Sequence, residues 1–89
     1  MANAREVAEW MAEQVMNGPY LVQRTAARTI RHQFGEEFVY RNDNRNWAIS
    51  PEVLKEFDEL TTDTVKWVRG RRVWRKAKPG DPPGREVAR

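Results

Sequence analysis

Residues 63–78, DTVKWVRGRRVWRKAK, decide the fold that the sequence predicts. Apolar residues on both sides of Gly70 are typical of two antiparallel strands joined by a tight turn. We expect Gly70 and Arg71 to form a two-residue turn with a positive φ at Gly70, because glycine accepts that conformation without steric cost. This register places Trp67 opposite Trp74, and residues directly opposite each other share one face of a sheet. The hairpin therefore has an aromatic side that we expect to pack on helices.

The rim of the same hairpin is strongly basic. Seven Lys or Arg and no acid occur from Lys66 to Lys78. Residues 1–62 hold seven Lys or Arg and ten acids, whereas residues 63–89 hold nine Lys or Arg and three acids. Such asymmetry favours an anionic partner, although basic residues also keep a hairpin soluble and discourage edge pairing. The candidate nucleic-acid contacts on the hairpin are Lys66, Arg69, Arg71, Arg72 and Arg75.

Three amphipathic helices are predicted before the basic hairpin. Asn3 can cap the first, and we expect Gly18 to end it in a left-handed conformation. The predicted elements are a helix over 3–17, a strand over 20–22 that joins the hairpin as a third strand, a helix over 23–34, a small hairpin with strands 38–40 and 47–49, and a helix that begins at Ser50-Pro51. The residues expected to be structural are Trp10, Phe34, Phe57, Trp67, Gly70 and Trp74.

Arg24, Arg28 and Arg31 form a basic stripe on the second predicted helix, at positions i, i+4 and i+7. This stripe is a second candidate nucleic-acid contact. A solvated outer face explains the same pattern, because charged outer faces are normal on amphipathic helices.

The sequence has no pattern typical of a catalytic or cofactor site. One histidine, His32, and no cysteine cannot supply a tetrahedral zinc site. The chain has neither of the common glycine-rich phosphate loops and no serine in a nucleophile elbow. We therefore expect a protein that is not an enzyme, with no cofactor, no metal and no small-molecule substrate.

The N-terminal residues lack the basic and apolar regions of a signal peptide. No apolar run approaches the roughly 18 residues that a membrane span requires. Without cysteine the redox compartment is unmarked, and a reducing compartment is the default. The expected location is cytoplasmic, without a membrane partner.

The predicted order of helix, strand, helix, helix and hairpin is that of a winged helix. Here a small hairpin is inserted before the third helix. We expect an α+β, winged-helix-like domain over residues 1–78, with three helices and a C-terminal β-hairpin. A Pro/Gly-rich tail, residues 79–89, follows it, and its last residues, 85–89, are expected to be frayed.

The chain also resembles a family of small uncharacterised bacterial and phage proteins. The resemblance is carried by EVAEWM, by FGEEFVY at residues 34–40, by Ala48-Ile49, by WVRGRRVWR at residues 67–75 and by PGDPPGR at residues 79–85. Members of that family often carry Gly where this chain has Arg45. The resemblance implies the same fold and supplies no activity.

Two functions remain open from the sequence. The first is a nucleic-acid-binding module, for DNA or RNA, that contacts phosphates through the hairpin arginines. The third helix is poorly suited to enter the major groove as a recognition helix does. It carries four acids, Glu52, Glu56, Asp58 and Glu59, and one cation, Lys55. The second is an interaction or assembly module of a phage or mobile-element protein. Acidic helix faces and a basic hairpin are complementary, so such a module would form a homodimer or dock an acidic protein.

Overall fold

The computed structural model describes residues 2–88, which form a small α+β domain with three helices and two sheets. Most bounds lie within about two residues of those predicted, a difference that is ordinary at element ends. The elements are α1 (Ala4–Asn17), β1 (Leu21–Val22), α2 (Gln23–Gln33), a 3-10 turn (Glu36–Phe38), β2 (Val39–Arg41), β3 (Trp47–Ile49), α3 (Pro51–Leu60), β4 (Val65–Val68), β5 (Val73–Lys76) and β6 (Glu86–Val87).

The larger sheet has the strand order β1-β5-β4-β6. Strands β4 and β5 form the predicted hairpin, with Trp67 opposite Trp74. Strand β1 pairs antiparallel with β5, so the prediction of a third strand is confirmed. Strand β6 was not predicted, and it pairs parallel with β4. The smaller sheet is the predicted hairpin of β2 and β3.

The aromatic side of the basic hairpin packs on the helices as the sequence predicted. Trp74 is 4% exposed, and its ring meets that of Phe57 from α3 edge to face, with centroids 5.3 Å apart. The ring of Trp67 lies 4.9 Å from that of Trp74 and is half-buried at the margin of the core. Trp10 and Phe34 form a second edge-to-face pair at 5.8 Å. Edge-to-face contacts of this kind add to the free energy of burial.

A row of four valines crosses the opposite face of the larger sheet. Val22 pairs with Val73, Val73 with Val68, and Val68 with Val87, so each strand contributes one residue. Val68, Val73 and Val87 are buried, and the row forms a small apolar cluster separate from the main core. Because opposite residues share a face, this row joins all four strands.

The loop of the basic hairpin differs from the prediction. It contains the four residues 69–72 rather than two, and the positive φ, 55°, belongs to Arg72 and not to Gly70. The N–H of Arg72 donates to the Val68 carbonyl at 2.8 Å, which closes the loop one residue wider than a two-residue turn would. The N–H of Gly70 donates instead to the Ala88 carbonyl at 3.0 Å. The backbone of Gly70 therefore helps to hold the chain end at this edge.

The first helix begins as predicted and ends differently. The side-chain oxygen of Asn3 accepts the N–H of Glu6 at 2.9 Å, which is the expected N-cap. Gly18 has φ −127° and ψ 176°, so the predicted left-handed end of α1 is wrong. The chain leaves α1 extended because it must run directly into β1 beside the hairpin.

The turn between β2 and β3 is organised by Asn42. Its side-chain oxygen accepts the N–H groups of Asn44 and Asn46, each at 3.0 Å. Arg45 has a φ of 63°. A glycine at this position would adopt the same conformation without strain.

The C-terminal segment, residues 79–88, docks on the domain, and we call it the strap. Asp81 receives two hydrogen bonds from Arg75, at 2.9 and 3.0 Å, and Lys66 donates to the carbonyls of Pro82 and Gly84. The prediction that residues 85–89 are frayed is wrong for residues 85–88, while residue 89 lies outside the described part. Composition misled the prediction because Pro and Gly here shape turns, with φ of 91° at Gly80 and 95° at Gly84.

The Arg85 side chain joins the strap to the end of α3. Its guanidinium donates to the carbonyls of Thr61 and Val65 at 2.8 and 3.0 Å. It also donates to the Thr61 hydroxyl at 2.9 Å and to Asp58 Oδ1 at 2.8 Å. Arginine suits this position because its fixed fork of donors matches several acceptors at once.

The strap should respond to acid through Asp81. Hydrogen bonds from Arg75 and from the Lys78 N–H hold the pKa of Asp81 well below its ordinary value of 3.8. A depressed pKa in the folded state adds stability that is complete above the ordinary value and is lost as pH falls below it. We expect Asp81→Asn to lower the melting temperature at pH 7. The difference in melting temperature between parent and variant should become smaller below about pH 4. Thermal melts from pH 7 to pH 2.5 measure this, and a difference independent of pH would contradict it.

Candidate functional site

The five predicted nucleic-acid contacts of the basic hairpin divide into two groups. Lys66 and Arg75 hold the strap, and Arg69 lies 3.6 Å from Glu86 in an exposed ion pair. The carboxyl of Asp81 in turn raises the pKa of Arg75 by accepting its hydrogen bonds. The structure thus places three of the five predicted hairpin contacts in interactions with the C-terminal segment. Arg71 and Arg72 form the other group.

Arg71 and Arg72 line a cleft together with Arg24 from the start of α2. The N–H of Gln23 donates to the Arg72 carbonyl at 3.1 Å, which fixes the first turn of α2 beside the hairpin loop. The cleft has a volume of about 330 Å³. Its lining residues are Val22, Gln23, Arg24, Asn42, Asn46, Trp47, Ala48, Arg71 and Arg72. Residues from distant parts of the sequence therefore meet at one basic surface.

Trp47 on β3 connects this cleft to further arginines. The guanidinium of Arg31 lies 4.5 Å from its ring centroid, and that of Arg41 lies 4.8 Å from it. Cation–π contacts of this type hold guanidinium groups over an aromatic ring. Arg41 is directly opposite Trp47 in the β2–β3 register. The sequence prediction missed Arg41, Asn42, Asn46 and Trp47, although extending the predicted strand by one residue would have paired Arg41 with Trp47.

We call the surface around Trp47 the arginine face, formed by Arg24, Arg31, Arg41, Arg71 and Arg72. Arg28 is included because it shares one side of α2 with Arg24 and Arg31. Arg31 has an ion pair with Glu36 at 3.6 Å. Within residues 2–88, no carboxylate lies within ion-pair distance of Arg24, Arg28, Arg71 or Arg72. The cleft lining contains no acid among those residues either. The arginine face is therefore a concentration of positive charge with little internal compensation.

The acidic residues are concentrated on other elements. Helix α3 packs against α1, and its exposed side chains include Glu52, Asp58 and Glu59. Arg5 of α1 lies 3.5 Å from Glu56 of α3, so the two helices share an ion pair at this surface. An exposed pair of this type adds little to stability. The acids of α3 are thus separate from the cleft lined by Arg24, Arg71 and Arg72.

A second cleft of about 460 Å³ begins on the other side of Arg71. Its lining includes Tyr20, which is 44% exposed and whose ring centroid lies 5.4 Å from the Arg71 guanidinium. Lys76 and Lys78 line the same cleft. Arg71 is common to both clefts, so positive charge continues from the arginine face to Tyr20.

Residues 2–88 contain no group of three or more His, Asp or Glu side chains placed to hold a metal ion. His32 is exposed on α2. In the same part of the chain, no helix has the length and apolar character needed to cross a membrane.

Comparison with curated proteins finds no match, and comparison with solved structures finds none either. The profile of a family of unknown function, DUF6953, matches residues 3–76. The match covers α1 to β5, including every residue of the arginine face, and stops before the strap. The chain therefore belongs to this family of unknown function, DUF6953.

Proposed function

We propose that this protein is a non-enzymatic, nucleic-acid-binding module that contacts the phosphate backbone through its arginine face. The observation that carries the proposal is the cleft in which Arg24, Arg71 and Arg72 meet without an acid among the described lining residues. Guanidinium groups suit phosphates because their planar forks donate two parallel hydrogen bonds. Contacts of this kind position a protein on nucleic acid and carry little sequence information.

We also propose that the domain is winged-helix-like and binds through its hairpin loop and α2. The strand order β1-β5-β4, with helices in the order α1, α2 and α3, supports that description. In a winged helix the third helix normally enters the major groove. Here the acids of α3 would repel phosphates, which argues for a mode that keeps α3 away from the nucleic acid.

The proposal predicts a salt-dependent affinity. For the double variant Arg71→Ala/Arg72→Ala, we expect the slope of log affinity against log salt to fall by about two units on duplex DNA. On single strands the fall should be about 1.4 units, because each lost phosphate contact removes about 0.9 or 0.7 units respectively. Titration of labelled duplex and single-stranded oligonucleotides at three salt concentrations measures the slope.

The matched control is Arg5→Ala/Lys55→Ala, which removes two exposed cations from α1 and α3. This control should leave the slope close to that of the parent. A parent that binds neither form at low salt would overturn the proposal, because non-specific association is the least that a phosphate-binding surface must show. Equal slope changes in both double variants would show that net charge, and not the arginine face, controls binding.

The second candidate function is an assembly module in which the exposed acids of α3 in one copy meet the arginine face of another. The separation of opposite charges on two surfaces favours it. Reciprocal pairing of the two surfaces would close a two-fold homodimer, whereas a single head-to-tail contact would build rings or open chains. Mass in solution against salt concentration tests it: assemblies that dissociate with added salt favour this function, and a monomer at all concentrations excludes it.

A further inference from the structure

We infer that the ligand of this surface is single-stranded nucleic acid and that Tyr20 stacks on one of its bases. This inference rests on the proposed function and deepens it. The observation behind it is an exposed aromatic ring placed where the positive charge of the arginine face continues.

Tyr20 is a large side chain that the fold leaves in solvent. It is 44% exposed although β1, which begins at the next residue, is held in the larger sheet. Backbone pairing of Leu21 with Trp74 fixes the position of the chain at this point. Within residues 2–88 the Tyr20 hydroxyl makes no hydrogen bond to another residue, so no polar contact in that part of the chain accounts for the position of the ring. A partly exposed ring beside this fixed backbone presents a π surface to a ligand.

The side chains around Tyr20 are cationic, so they can bind the phosphates of a strand whose base stacks on the Tyr20 ring. Arg71 lies over the ring, with its guanidinium 5.4 Å from the centroid. Lys76 and Lys78 line the same cleft and are exposed. Base stacking combined with a cationic groove is the usual way in which proteins bind single strands without sequence preference.

The two clefts that share Arg71 define a path longer than one nucleotide. From Tyr20 the path passes Arg71 and reaches the cleft lined by Arg24 and Arg72. The exposed side chain of Asn46 lies in the cleft lined by Arg24 and Arg72. Its amide has both donor and acceptor groups, which match the polar edges of an unpaired base. The path thus alternates cations with groups that interact with bases.

A duplex satisfies only part of this surface. Its bases are stacked and paired internally, so a ring that faces outward from the protein finds no base face. A duplex would contact the arginines and leave Tyr20 against sugar and phosphate. Single strands expose bases and phosphates together, which accounts for the cations and the aromatic ring at once.

The experiment compares Tyr20→Ala and Tyr20→Phe with Tyr40→Ala. Tyr40 on β2 is the matched control, since it is 46% exposed and does not line either cleft. The probes are fluorescent oligothymidine and oligouridine of about 12 nucleotides, a length within the usual site size, and a duplex of equal length. The DNA and RNA arms distinguish the two sources of single strand.

We expect the parent to bind at least one single strand more tightly than the duplex. Tyr20→Ala should weaken single-strand binding roughly 5- to 150-fold, the range that corresponds to loss of one stacked base, and should change duplex binding little. Tyr20→Phe should bind like the parent, because the ring is retained, and Tyr40→Ala should also bind like the parent.

Two results would overturn the inference while leaving the proposed function intact. One is that the parent binds duplex as tightly as single strands, or more tightly, while Arg71→Ala/Arg72→Ala still weakens binding. The other is single-strand binding unchanged in Tyr20→Ala. If the parent binds none of the three probes at low salt, the proposed function itself fails.

Discussion

Trp74→Ala is expected to lower the free energy of unfolding by about 3–5 kcal/mol, through lost transfer energy and the cavity left in the core. Trp74 is almost fully buried, and its ring packs on the rings of Phe57 in α3 and of Trp67. For a domain of this size, each kcal/mol corresponds to a melting temperature shift of about 4–8 °C. The variant should therefore melt at least about 12 °C below the parent, or be unfolded at 25 °C.

Trp67→Ala is the matched control, since Trp67 is the other half of the same cross-strand pair and is only half-buried. It should cost clearly less than Trp74→Ala, because the loss scales with the area and volume removed from the core. Urea denaturation followed by circular dichroism gives both values. Equal losses in the two variants, or a Trp74→Ala variant that melts like the parent, would contradict the packing described.

Arg85→Ala is expected to release the strap and cost on the order of 2–3 kcal/mol, since charged hydrogen bonds are stronger than neutral ones. Four hydrogen bonds are lost with this side chain. The buried hydroxyl of Thr61 loses one donor. Arg85→Lys should also lose much of the stability, because an ammonium group cannot reproduce the fork of donors.

Hydrogen exchange gives the most direct measurement of strap release. The N–H groups of Trp67, Arg69 and Gly70 donate to carbonyls of residues 85, 87 and 88. In Arg85→Ala these three amides should exchange faster than in the parent, while amides in α1 change less. Arg69→Ala is the control: it removes an exposed ion pair with Glu86 and should cost at most about 1 kcal/mol. Unchanged exchange at all three amides would show that Arg85 does not hold the strap.

Much of the fold followed from local patterns in the sequence. Apolar periodicity and capping residues predicted α1, α2 and α3, because each helix buries one face and its ends need hydrogen-bond partners. The alternation around Gly70 predicted the register of Trp67 against Trp74. The predicted two-residue turn was wrong because a turn type also depends on neighbouring segments. Here the Ala88 carbonyl accepts the Gly70 N–H.

The strap could not be predicted from its composition. A Pro/Gly-rich segment reads as irregular, and only the positions of Lys66, Arg75 and the end of α3 give it partners. The same long-range information decides the candidate site. The sequence predicted Arg24, Arg71 and Arg72 as basic residues on two separate elements. Their meeting in one cleft depends on the pairing of β1 with β5, which brings the start of α2 to the hairpin loop.

The valine row that crosses the four strands has a consequence for the order of folding. Only the central pair, β4 and β5, is close in sequence, so it closes the shortest loop at the smallest entropy cost. Strand β1, in the N-terminal third, pairs with β5 across a long stretch of sequence. Strand β6, near the C-terminus, pairs with β4 across a shorter stretch that is still longer than the hairpin loop. We expect the central hairpin to form early in the transition state, with both outer strands added late. Substitution of Val68 or Val73 should then slow folding, whereas substitution of Val22 or Val87 should mainly accelerate unfolding.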